Sequence, residues 1–145
     1  MKKIELLTPF GAWEISEVSE TILNFKNKVY DSMSFTLECD ANFPICSASS
    51  LTAFAKVHNH KFPNVEQLEI LRYLYYHGLN EWLQNIKSGF CFRETTYITN
   101  EVLETTLYNP YGDDFFFKKY VCYNIAEDDT KALDGVVKVR YMLLH

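Results

Sequence analysis

EVLETTLYNPYGDDFFFKKYVCYNIA, residues 101–126, decides the fold class. Its two halves, Glu101 to Tyr108 and Asp114 to Ala126, read as strands, the second half of a chain whose periodicity has changed to two. Between them Asn109-Pro110-Tyr111-Gly112-Asp113 is a turn by its chemistry, because proline fixes φ and glycine accepts positive φ without a steric cost. Working outward, Phe90 to Thr99 and Val136 to Leu144 also read as strands, with Glu127-Asp128-Asp129-Thr130 and Asp134-Gly135 bounding the last connection. Four strands with short links predict an antiparallel meander.

The first half reads as mixed. Residues 2–7 suit a short strand, and Trp13 and Ile15 extend it or pair with it. From Ser16 to Met33 the apolar positions Val18, Ile22, Phe25, Val29 and Met33 recur at spacings of 4, 3, 4 and 4. That is the stripe of an amphipathic helix with Ser16 as its N-cap, although Thr21, Asn24 and Asn27 are poor helix formers and leave two strands open. Phe35, Leu37 and Cys39 alternate on one side of a half-buried strand. A helix near Ser50–His58 places Leu51, Phe54, Ala55 and His58 on one face. Pro63-Asn64 opens a further helix, Gln67 completes a capping-box spacing, and Val65, Leu68, Leu71, Leu74 and Tyr75 line its buried side. Gly78 stops it, and Asn80 caps a last helix to Lys87 that buries Leu79, Leu83 and Ile86. The class is therefore α+β: an antiparallel sheet of about four to five strands, mostly from the C-terminal half, with helices packed on one face.

A chain of 145 residues suits one domain, 1–145, with a core that needs no staples. Aromatic residues reach 16% while Gly and Pro number 5 and 4, so a disordered or low-complexity chain is excluded. No apolar run approaches the ~20 residues that span a bilayer, and Glu5 and Pro9 interrupt the start before an export signal could form. Cys39, Cys46, Cys91 and Cys122 are irregularly spaced and read as buried reduced thiols, Cys91 and Cys122 within strands. A cytoplasmic protein without cofactor or metal is the expectation.

Acid is concentrated in one stretch. Residues 100–135 carry Glu101, Glu104, Asp113, Asp114, Glu127, Asp128, Asp129 and Asp134 against three lysines, which accounts for the whole net charge of −5. The same stretch holds Tyr108, Tyr111, Phe115, Phe116, Phe117, Tyr120 and Tyr123. Carboxylates steer a basic partner and rings supply contact area. The candidate partner-binding residues are Tyr108, Tyr111, Asp113, Asp114, Glu127, Asp128, Asp129 and Asp134.

Other signals are weaker. His58-Asn59-His60 lacks the distribution of a ββα nuclease site and needs a third ligand, for which Asp40 and Cys46 are the nearest candidates. The plain alternative is a polar loop between helices. Lys87 to Arg93 has some of the basic-Gly-aromatic character of an RNA-recognition strand, but an acidic chain opposes phosphate binding, so direct nucleic-acid contact is not expected. Phe115-Phe116-Phe117 puts rings on both faces of its strand, to be covered either by the chain's own helices or by a partner. An enzyme cleft would draw on Arg72, Tyr73, His77 and Glu81.

The composition resembles in character, and without a shared motif, that of immunity proteins, which neutralise nuclease toxins by occlusion. The functional expectation is a small acidic inhibitor, not an enzyme, that blocks a basic toxin or nuclease. A phage-type inhibitor of a host defence nuclease shares that physics. A small enzyme and an oligomeric structural module are the rival classes.

Overall fold

The computed structural model describes residues 2–9 and 11–145. In chain order its elements are β1 (Lys3–Thr8), β2 (Gly11–Ser19), β3 (Ile22–Asn27), β4 (Phe35–Glu38), β5 (Cys46–Ser47), α1 (Ala48–His58) and α2 (Val65–Leu74). They continue with α3 (Asn80–Asn85), β6 (Thr96–Leu107), β7 (Phe115–Asn124), β8 (Asp129–Leu133), β9 (Lys138–Val139) and β10 (Leu143–Leu144). The class is α+β, as expected, but the largest sheet is not C-terminal. It is five-stranded, antiparallel, ordered β1-β2-β3-β4-β10, and built mainly from the first 38 residues. β6-β7-β8 form a three-stranded sheet, and β5 pairs with β9.

The helix expected over 16–33 is a hairpin. β2 runs through Ser16, turns at Glu20-Thr21, and returns as β3 with Ile15 opposite Phe25 and Trp13 opposite Asn27. Two positions of the supposed stripe, Val18 and Val29, are exposed, whereas Leu23 and Phe25 are fully buried. Alternation won because β1 pairs on one side of the hairpin and β4 on the other, and β-branched residues fit the pleat better than a helix. Asn27 ends β3 locally: its Oδ1 accepts hydrogen bonds from the Val29 and Tyr30 amides at 2.9 and 2.8 Å.

The helices follow their local chemistry. Ser47 caps α1, its side chain accepting from the Ser50 amide, and Asn59 in the left-handed region (φ 55°) closes it. Asn64 and Gln67 form the full capping box of α2, with both bonds at 2.8–2.9 Å. Such a cap stabilises a helix by about 1 kcal/mol. α2 then passes through a π turn, Tyr75–Leu79, where His77 and Gly78 leave helical backbone, and runs on into α3. Gly78 has φ 124°, and a side chain there would meet Leu6 Cδ2 at 2.9 Å. Asn80 does not cap α3; its Oδ1 instead accepts from Gln84 Nε2.

Two apolar clusters hold these parts together. Trp13, Ile15, Phe25 and Leu37 of the large sheet pack with Leu68, Leu71 and Leu74 of α2 and with Tyr97 and Tyr123 of the C-terminal sheet. Leu51 and Ala55 of α1 pack with Ile98, Tyr120 and Cys122, together with Val139, Tyr141 and Leu143. Tyr97 faces Tyr123 and Ile98 faces Cys122 across β6–β7, so alternate residues enter different clusters. The helices therefore divide between the two faces at the base of this sheet instead of sharing one.

The strands expected at Phe90–Thr99 and Glu101–Tyr108 are one strand, β6, with an irregularity between Ile98 and Val102. Residues 86–95 before it are loop, and Cys91 lies there rather than in a strand. Nor is Val136–Leu144 a fourth meander strand. β9 leaves for β5 and β10 completes the large sheet beside β4, while β8, expected as a connection, supplies the third strand.

Candidate interaction surface

β7 is covered on one edge by β8 only from Tyr120 to Asn124, where Tyr120 lies opposite Leu133. Beyond that point β6 and β7 continue alone as a two-stranded arm, with Leu103 opposite Lys119, Thr105 opposite Phe117, Thr106 opposite Phe116 and Leu107 opposite Phe115. At ~3.3 Å per residue the paired part of the arm reaches roughly 15 Å past the end of β8. Directly opposite residues share a face. Leu103, Leu107, Phe115 and Phe117 thus form one apolar face, in which the Phe115 and Phe117 rings sit 6.5 Å apart. Phe116 and the Glu104–Lys118 ion pair occupy the other.

The expectation that this chain's own helices cover the phenylalanine triplet is corrected here. All three rings are exposed, Phe116 at 80%. At the tip Tyr108 and Tyr111 are exposed at 84% and 97%. The turn between them is ordered by its own hydrogen bonds. Asn109 Oδ1 accepts from the Tyr111 amide at 3.0 Å, the Gly112 amide donates to Asn109 O at 3.3 Å, and the Asn109 amide donates to Asp114 Oδ1 at 3.3 Å. A short, locally satisfied turn presents the rings at low entropic cost.

The eight candidate residues separate into three places. Tyr108, Tyr111, Asp113 and Asp114 share the tip. Glu127, Asp128 and Asp129 lie at the opposite end of β7, about 30 Å away along a ten-residue strand. Asp134 follows β8 and pairs with Lys119 midway between. Charge separates the groups too. Lys131 bridges Glu127 and Asp129 at 3.3 and 3.7 Å, while Asp128 lies 4.0 Å from Arg72 and accepts the Tyr123 hydroxyl hydrogen bond. Among the described residues Asp113 and Asp114 have no cationic partner. Sequence reasoning did not include Leu103, Leu107 or the triplet in the site. The signal was present in Phe115-Phe116-Phe117, since rings on both faces of one strand need two covers.

The residues of the rival readings lie as follows, with Arg72 and Tyr73 of the expected cleft lining a groove. His58 and His60 stack at 6.0 Å and both lie against Phe54, and no group of three His, Cys, Asp or Glu that could hold a metal occurs among the described residues. All four thiols are free, but only Cys39 and Cys122 are buried as expected; Cys46 and Cys91 are half-buried. Burial pushes Cys39 up to about 12 and Cys122 up to about 11, against the thiolate a nucleophile needs. Cys39 Sγ donates to Cys91 O at 2.8 Å. Phe90 is buried in the core and lies in a loop, not on a strand, and Phe92 is half-buried. An open groove of about 770 Å³ is lined by Trp13, Val65, Glu69, Arg72, Tyr73 and Asp128. His77 and Glu81 do not line it, and the His77 ring stacks on Tyr73 at 4.0 Å. Among the described residues no helix is long and apolar enough to cross a membrane.

The fold and this surface define an α+β body bearing an aromatic β-arm. No family model, no curated protein and no solved structure matches the chain.

Proposed function

We propose that this protein is a small acidic inhibitor that binds another protein with its β6–β7 arm and acts by occlusion. One observation carries the reading: the arm offers five apolar side chains to solvent, Leu103, Leu107, Phe115, Phe116 and Phe117, and ends in two exposed tyrosines beside two carboxylates that have no cationic partner among the described residues. Scattered exposed hydrophobics need no explanation, but a contiguous apolar face on a projecting element marks an interaction site. The partner is basic. Asp113 and Asp114 would attract lysines and arginines of the kind a nuclease uses to hold phosphate, and Tyr111 and Tyr108 would anchor at the centre of the contact. A nuclease toxin neutralised in the manner of an immunity protein is the leading form of this partner. A host defence nuclease inhibited by a phage protein fits the same surface.

In this reading the docking contact is the tip and the apolar face of the arm. Glu127, Asp128, Asp129 and Asp134 already serve neighbouring cations and contribute to the long-range field alone. The test is capture of a basic nuclease from the native cell with the folded protein as bait, followed by titration of its activity. Activity should fall to zero at a one-to-one ratio. Asp113→Lys with Asp114→Lys should weaken capture with a steep dependence on salt, and Tyr111→Ala should cost about 2 kcal/mol of binding. Unchanged affinity of the double variant at low salt removes both acids from the contact.

A further inference from the structure

Beyond partner binding, we infer that the free edge of β7 pairs with the same edge of a second copy of this chain, forming a two-fold antiparallel dimer centred on Phe116. Residues 113–119 read Asp-Asp-Phe-Phe-Phe-Lys-Lys. An antiparallel partner runs the other way, so this segment meets its own reverse. Asp113 then faces Lys119 of the second copy, Asp114 faces Lys118, Phe115 faces Phe117, and Phe116 faces Phe116. The symmetry repeats each of these contacts, giving four acid–lysine pairs around a core of six rings. A shift of two residues either way leaves no acid opposite a lysine. Cross-strand charge pairing therefore selects one register among those that keep the same side chains on the same face.

The edge is available. β8 stops opposite Tyr120, and no strand pairs with the β8-side edge of Phe115–Lys119 among the described residues. An unpaired edge is a template for another chain, and proteins commonly blunt it with lysine. Lys118 and Lys119 would do so against most strands, yet here they meet the two carboxylates without cationic partners. The second copy also fits. Its residue 120 would lie beside Gly112, past the tip, so each body and each β8 lies outside the paired segment, at opposite ends. Lys118 keeps Glu104 and Lys119 keeps Asp134, since both pairs are exposed and an ammonium has three donors. On one face the four Phe115 and Phe117 rings become a continuous row flanked by Leu107, while on the other the two Phe116 rings meet. Such an interface is isologous and closes at two chains.

The consequence is a shielded free state. Self-pairing and docking on a basic protein both use Asp113 and Asp114, so the two compete. The inference does not depend on the partner reading, and the variants separate them. Sedimentation equilibrium over a concentration series should show a reversible dimer that weakens with salt. Asp113→Lys with Asp114→Lys, and separately Lys118→Asp with Lys119→Asp, should each lower the association constant on the order of a hundredfold, through like charges placed opposite one another. An equimolar mixture of the two variants should restore a one-to-one heterodimer, because each now presents the sign the other lacks. Phe116→Lys, at a position exposed in the single chain, should also dissociate the wild-type pair. A wild-type chain that stays monomeric throughout, or a mixture that fails to associate, overturns the inference. Lys118→Asp with Lys119→Asp leaves Tyr108, Tyr111, Asp113 and Asp114 in place, so capture of a basic protein by this variant tests the partner reading separately from self-pairing: a monomeric wild type with capture intact fails only the inference, and a dimer without capture fails only the partner reading.

Discussion

The inner and outer halves of the β6–β7 hairpin are built alike and live in opposite surroundings. Tyr97, Ile98, Tyr120, Cys122 and Tyr123 are buried between the two helices, while Leu103, Leu107, Phe115, Phe116 and Phe117 on the same two strands face solvent. Both halves are rich in rings and antiparallel, and the register shifts once between them, from Ile98 opposite Cys122 to Val102 opposite Tyr120. The difference lies in the neighbours. β8 pairs no farther out than Tyr120, the buried residues of β7 that pack with the helices run from Tyr120 inward, and the strands continue past it. Apolar content near the base stabilises the fold by leaving water; farther out it contributes nothing to the single chain until something else arrives. The arm is an apolar surface that the body leaves uncovered.

This comparison predicts unequal costs. Leu71→Ala, in the core under the large sheet, should destabilise the chain by about 3 kcal/mol, with urea unfolding as the measure. Measured in dilute solution where the chain is monomeric, Phe116→Ala should stay within about 0.5 kcal/mol, and an equal loss at the two sites would break the distinction. A sharper version removes the arm. Exchanging residues 104–118 for an Asn-Gly turn, closed by the Leu103–Lys119 pair, should leave the melting temperature within about 5 °C of the intact chain.

The second contrast is in pH. Burial holds the Cys39 thiol at about 12 and the Cys122 thiol at about 11, against an ordinary value of 9.0. Burial also raises Tyr97 and Tyr123, the latter helped by its hydrogen bond to Asp128. The folded state keeps protons that the unfolded chain releases, so this stability is complete below about pH 8.5 and is lost as pH rises through the folded values. Thermal melting between pH 8 and 11 should show a steady fall, shared by the chain without its arm because all four groups sit in the body.

Smaller effects follow. Asn64→Ala breaks the capping box of α2 and should cost about 1 kcal/mol, read by chemical unfolding. Glu104→Gln removes an exposed ion pair of the arm and should change stability by less than about 0.5 kcal/mol. A larger loss would mean that the arm is coupled to the body after all.

How far the sequence could be read depended on the range of the forces involved. α2 was legible because Asn64, Gln67 and the Leu68–Leu71–Leu74 stripe act over a few residues. β1 with its partner, the alternation of Phe35 and Leu37, and the Asn109–Asp113 turn were legible for the same reason. The segment 16–33 misled because Val18, Ile22, Phe25, Val29 and Met33 fit a helical stripe by position, while the hairpin depends on β1 and β4 lying on either side. The last ten residues misled more deeply, since β9 and β10 pair with strands about a hundred residues away. Of the eight candidate residues, the four adjacent to the turn were brought together by local chain reversal. The other four were separated from them by the length of β7, which composition does not record.

Sequence alone determined the amount of ring and acid, the capping box of α2, the tight turn and the self-complementary order of charge in residues 113–119. Those properties are intrinsic to short runs of chain. Tertiary structure alone decided which rings are covered, which acids already have cations, and which strand edge is left open. Burial and pairing are relations between distant segments, and a strand's own alternation is the same whether or not a neighbour comes to cover it.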